Sequence, residues 1–83
     1  MRKVIKIEMQ PGEYYVFFFQ NIITITGYGK MEYFTKGFDS KFRRSRYITE
    51  PTWNFDLDTD IYTYKKYNSF TEVLIDYPEI LDL

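Results

Sequence analysis

The sequence predicts an α+β domain: an antiparallel, meander-like sheet of five or six strands with one short C-terminal helix packed on one face. Three observations carry this. Strand-like segments fill much of residues 3–62, with clean period-two alternation of apolar and polar residues in Lys3–Met9 and Phe55–Tyr62. Turn-forming residues interrupt these segments about every seven to ten positions. Near the C-terminus, a capping signature introduces the one stretch with helical spacing.

The first strand is Lys3–Met9, in which Ile5, Ile7 and Met9 share a face opposite Val4, Lys6 and Glu8. Gln10-Pro11-Gly12-Glu13 is a type II turn, because Pro fixes a negative φ and Gly accepts the positive one. This predicts a hairpin with the next strand, Tyr14–Gln20. That strand is apolar on both faces, the mark of a central position. Asn21 breaks the chain, and β-branched Ile22–Thr26 makes a third strand. Gly27–Lys30 turns, Met31–Thr35 is a fourth strand, and Lys36–Ser40 turns again. Lys41–Ile48 reads either as a fifth, edge strand or as a basic loop, and Pro51 excludes a central strand just beyond it. In Phe55–Tyr62 the alternation returns, with Phe55, Leu57 and Ile61 inward and Asp56, Asp58 and Asp60 outward. Ser69-Phe70-Thr71-Glu72 matches a capping box, and Phe70, Val73, Leu74 and Tyr77 form one apolar helical stripe that Pro78 ends. A further turn over Glu79–Leu81 packs on the sheet.

Eighty-three residues predict a single domain, 1–83, near the lower size at which a chain supports its own core. Absence of cysteine and histidine removes disulfides, thiol chemistry, the usual zinc sites and the serine triad. No phosphate-binding loop, dinucleotide fingerprint or nucleophile elbow occurs, so the expectation is a non-enzyme with no cofactor and no metal. The longest apolar run, Tyr14–Phe19, is far short of a membrane span, and no signal-peptide pattern opens the chain. A cytoplasmic protein without membrane contact is expected.

Net charge is only -1, yet residues 1–50 carry nine Lys/Arg against five Asp/Glu, and residues 51–83 two against seven. The halves either neutralise each other in the fold or present a polarised surface, and internal neutralisation is the favoured expectation. Arg43, Arg44 and Arg46, flanked by Phe42 and Tyr47, offer bidentate donors beside stacking surfaces, which suits phosphate, carboxylate or single-stranded nucleic acid. The competing expectation pairs them with Asp56, Asp58 and Asp60 on a neighbouring strand. Those three aspartates resemble a calcium loop only in part, since Ile61 stands where its glycine belongs, and they otherwise form a solvated face or an acidic partner surface. Nine Tyr, eight Phe and one Trp are more aromatics than so small a core can hold. Trp53 in a loop and Tyr28 at a hairpin tip are therefore candidate contact residues, with Trp53 more at home in the core and Tyr28 more at home in solvent.

The chain has no alanine and is rich in Phe, Tyr, Ile and Lys, a bias toward AT-rich codons common among small phage and mobile-element proteins. The leading expectation is a binding protein that inhibits or modulates a host protein in the host cytoplasm. A nucleotide or single-stranded nucleic-acid binder using Arg43–Arg46 is the alternative. The apolar Tyr14–Phe19 strand must be central or paired across a homodimer interface.

Overall fold

A computed structural model describes residues 3–28, 32–37, 39–46 and 54–83. In chain order the described elements are β1 (Val4–Glu8), β2 (Tyr14–Phe19), β3 (Ile22–Gly27), β4 (Glu32–Lys36), β5 (Arg43–Arg46), β6 (Asn54–Asp58) and β7 (Thr63–Tyr67). Helix α1 (Phe70–Asp76) and a 3-10 turn, Pro78–Asp82, complete the chain. The five-stranded sheet has the order β5-β4-β3-β2-β7, antiparallel throughout, and β1 and β6 form a separate two-stranded ribbon.

The doubly apolar β2 lies between β3 and β7, so both of its edges are satisfied within one chain. Its two faces need two covers. On one face Val16 and Ile25 meet Val73 of α1 and Ile80 of the 3-10 turn, with Phe42 and Tyr67 at the margins. Val16, Ile25 and Val73 are completely buried, each stabilising the fold by roughly 1.5–3 kcal/mol relative to exposure. On the other face Tyr15 and Phe17 pack against Ile7, Met9 and Leu57 of the ribbon and its margins. The molecule thus has three layers, helix, sheet and ribbon.

The meander of β2 to β5 and the helix on one face are as the sequence predicts. The pairing of β1 is not. The Pro11–Gly12 turn forms, with Gly12 at φ 89° and Glu13 N–H donating to the Gln10 carbonyl at 3.0 Å. The chain nevertheless passes out of the sheet plane there, and β1 pairs with β6 (Ile5 opposite Leu57, Lys6 opposite Asp56). Tyr15 and Phe17 demand an apolar cover on their side, which the one-sided strands β1 and β6 supply.

The predicted strand over Phe55–Tyr62 stops at Asp58. There the Asp58 carbonyl accepts the Ile61 and Tyr62 N–H groups at 3.2 and 2.9 Å, and its carboxylate accepts the Asp60 N–H at 3.0 Å. Aspartate's affinity for nearby amides outweighs the alternation. Ile61, expected inward, is 51% exposed on the resulting turn. The chain then enters β7, which the sequence pattern does not announce.

At α1, Ser69 Oγ accepts the Glu72 N–H at 3.2 Å, as expected of an N-cap. Glu72 reaches one residue further back than a capping box requires, accepting the Asn68 N–H at 2.7 Å. After Tyr77 closes the helix on the Val73 carbonyl at 2.8 Å, Pro78 opens the 3-10 turn that seats Ile80.

Candidate functional site

The basic stretch resolves as strand β5, at one end of the five-stranded sheet and hydrogen-bonded to β4. Its register sets Arg44 opposite Phe34 and Arg43 opposite Thr35. Alternation therefore splits the arginines, with Arg43 on the ribbon side and Arg44 on the helix side. Both are exposed. The Arg44 guanidinium lies 5.9 Å from the centre of the Phe34 ring, a cation–π contact that holds its stem along the sheet. Lys36 approaches the Phe42 ring at 5.5 Å.

Phe42 does not serve as an exposed stacking platform. It is only 3% exposed and meets Tyr77 edge-on at 5.7 Å, so it anchors the strand's entry to the helix layer. Tyr47 and Trp53 lie outside the described residues. Beside β5, a concavity of about 430 Å³ opens between Lys36, Ser40 and Lys41 on one wall and Glu79 and Asp82 on the other. Its walls carry both signs of charge, and a ligand of either sign meets repulsion as well as attraction there.

The three aspartates do not form one row. Asp56 points outward from β6 opposite Lys6, Asp58 closes its own turn, and Asp60 accepts the Lys3 N–H at 3.1 Å. The Thr59 N–H also bonds to the Lys3 carbonyl at 2.8 Å. The acidic segment is thereby tied to the N-terminal segment. The expected neighbouring-strand arrangement of Asp56, Asp58 and Asp60 with the arginines does not form, because β6 belongs to the ribbon and β5 to the far end of the sheet. Among the described residues no group of three or more acidic side chains gathers as a metal site.

Tyr28 is half-buried rather than exposed, packed against the ribbon-side cluster, with its N–H donating to the Glu13 carbonyl at 3.2 Å. At the sheet's other edge, the lysines of β7 are engaged within the chain. Lys65 reaches Asp76 at 3.3 Å and Lys66 reaches Glu13 at 3.2 Å. Asp76 also accepts a 2.5 Å hydrogen bond from the Tyr67 hydroxyl, which holds its carboxyl below the ordinary range. Burial, then the bond to Asp76, drives the Tyr67 hydroxyl well above its ordinary value. That network ties α1 to β7.

An unpredicted apolar cluster collects where the β2–β3 turn meets the turn after β6. Phe19 and Tyr62 pack at 5.2 Å, while Ile22 and Ile61 stand 44% and 51% exposed. Its only sequence signal is the apolar pair that brackets Gln20-Asn21.

No protein-family model, curated protein or solved structure matches the chain. No helix among the described residues is long and apolar enough to cross a membrane.

Proposed function

We propose that the chain is a non-catalytic binding module that engages a partner protein through its basic sheet edge and thereby inhibits or modulates it. One observation carries this reading. The acidic segment is bound to the N-terminal segment, through the Lys3 main chain and the β1–β6 register, while Arg43 and Arg44 are exposed on β5 at the end of the sheet. An outward array of arginines on a rigid strand is an efficient recognition element, because guanidinium forks orient carboxylates bidentately and lose little freedom on binding. The compositional bias toward AT-rich codons fits a phage or mobile-element product whose partner is a host protein.

The test is affinity capture from host lysate with the wild type and with the double variant Arg43→Glu/Arg44→Glu, each with and without nuclease. The reading predicts a stoichiometric protein that survives nuclease and is lost by the variant. Recovery of nucleic acid alone, with steep weakening by salt, would transfer the site to the nucleotide-binding alternative. Burial of Phe42 has removed one of the two stacking surfaces that alternative relied on.

A further inference from the structure

The geometry points to the outer edge of β7 as a self-pairing surface, where two copies of the chain join antiparallel into one continuous sheet. This goes beyond the reading above, which concerns the opposite end of the sheet. β7 ends the strand order and pairs on one side with β2, and no described strand meets its other side. Residues 54–83 are described without a break, and the undescribed stretches adjoin β3, β4, β5 and β6 or precede Lys3. An unpaired edge presents alternate main-chain N–H and C=O groups that a further strand satisfies.

Lysines usually guard such an edge. Here both are turned back onto their own chain. Lys65 lies 3.3 Å from Asp76 and 4.9 Å from the centre of the Tyr67 ring, and Lys66 lies 3.2 Å from Glu13. The register with β2 sets Lys65 beside Val16 on the helix side, and Tyr64 and Lys66 beside Phe17 and Tyr15 on the ribbon side. A groove of about 250 Å³ is lined by both lysines together with Glu72 and Ile75, so it runs along the outer side of β7 next to α1. Apolar surface flanks the edge on both faces. Ile75 is 74% exposed at the groove, and Tyr64, stacked on Tyr15 at 6.1 Å, is 42% exposed on the other face.

These features select a second copy as the occupant. The lysine charges are matched within the chain, so neither an acidic nor a basic strand gains from them, whereas an apolar rim gains from meeting another apolar rim. Like charges directly opposite repel, which disfavours the register that sets Lys65 against the partner's Lys65. The next register that keeps the faces aligned places Tyr64 against the partner's Tyr64 and Thr63 against the partner's Lys65. It extends the Tyr15–Tyr64 stack across the two-fold axis, and each Ile75 covers the helix side of the incoming strand.

Sedimentation equilibrium on the full chain, from about 1 μM to about 1 mM, should show a reversible monomer–dimer equilibrium. Tyr64→Lys sets like charges at the axis and Ile75→Glu removes the cover, and each should weaken association by at least about tenfold. Both positions are exposed, and circular dichroism would verify that each variant is folded. Ile22→Glu, in the other exposed apolar cluster, should leave association unchanged. Hydrogen exchange supplies the directional readout. Alternate amides of Thr63–Tyr67 should gain protection as concentration rises, while those bonded to β2 stay protected throughout. A chain that is monomeric at about 1 mM would overturn the proposal. So would a dimer that depends on Ile22 and is indifferent to Tyr64 and Ile75, or one whose β7 amides exchange alike at all concentrations.

Discussion

Gly27 closes β3 directly opposite Tyr14 of β2, and the tyrosine ring lies across the space a side chain would occupy. A Cβ on residue 27 would come 2.5 Å from Tyr14 Cε2 and 2.9 Å from Cδ2 and Cζ. Those distances are well inside van der Waals contact, so something must move. The ring has little room, because it packs on Phe70 at 5.1 Å and Phe70 in turn stacks on Phe34 at 6.2 Å. Gly27→Ala therefore displaces a connected aromatic row or splays β2 from β3. Overpacking of this kind costs about 1–3 kcal/mol, offset by the roughly 0.5–1 kcal/mol that alanine gains over glycine in a strand. A net loss of about 1–2 kcal/mol follows, which lowers the melting temperature of a domain this size by roughly 4–16 °C. Urea unfolding monitored by tyrosine fluorescence and circular dichroism would measure it. The decisive comparison is the same substitution in a Tyr14→Ala background. With the ring gone, alanine at 27 meets open space, and its effect should fall to zero or become stabilising. An equal cost in both backgrounds would refute the steric argument and place the cause in backbone conformation instead.

Val73→Ala should cost about 2–3 kcal/mol, since it removes methyl groups from a fully buried site, while Ile75→Ala, at a position 74% exposed, should change stability by less than about 0.5 kcal/mol; the urea midpoints of the two variants test which face of α1 is inward. Ser69→Ala removes the acceptor for the Glu72 amide and should destabilise by about 1 kcal/mol, with Ser69→Asp restoring most of it in the same assay. Gln20 holds φ 50° in the two-residue β2–β3 turn, so Gln20→Gly should be neutral or stabilising by up to about 1 kcal/mol, and a clear loss of stability in thermal melts would show that the side chain makes contacts of its own. Glu13, mainly through the Gln10 amide, and Asp76, mainly through the Tyr67 hydroxyl, are held below their ordinary values of 4.5 and 3.8. Their contribution is complete above those values and lost as pH falls through the lower folded ones, so the urea midpoint should hold from pH 7 to about 5 and then decline. Tyr67 is shifted upward from 10.0, so its contribution is present below pH 10 and lost above it; Tyr67→Phe should soften both limbs of the profile.

What the sequence made legible was local. Tyr14–Phe19 announced a central strand because apolar residues on both faces need cover on both. Ser69 and Glu72 marked the start of α1, and Val73, on its predicted stripe, is completely buried. Pairing was less accessible. One-sided alternation in Lys3–Met9 shows that the segment covers something, and does not show what, because β1 and β6 meet across nearly fifty residues. β7 escaped notice since Lys65-Lys66 interrupts its pattern and only Tyr67 of its side chains is buried. Asp56, Asp58 and Asp60 look equivalent as a sequence, yet one faces outward, one closes its own turn and one caps a distant amide. Phe42 is opaque for a similar reason: proximity to arginines says nothing about the helix layer that buries it.

The separation of β6 from β5 follows from the topology. β2 requires covers on both faces, and the described residues contain one α-helix. The second cover must therefore be built from strands with a single apolar face, and β1 and β6 both have one. Their pairing sets Lys6 opposite Asp56 and lets the Asp60 carboxylate accept the Lys3 main-chain N–H. Glu13 and Asp76, on the sheet's opposite side, are likewise taken up by Lys66 and Lys65 of β7. β5 enters the fold after β4, on the edge farthest in the strand order from β7, and its register sets Arg46 opposite Glu32 of β4. The demand to cover β2 twice thus places β6, with Asp56 and Asp58, in the ribbon and β5 at the far end of the sheet.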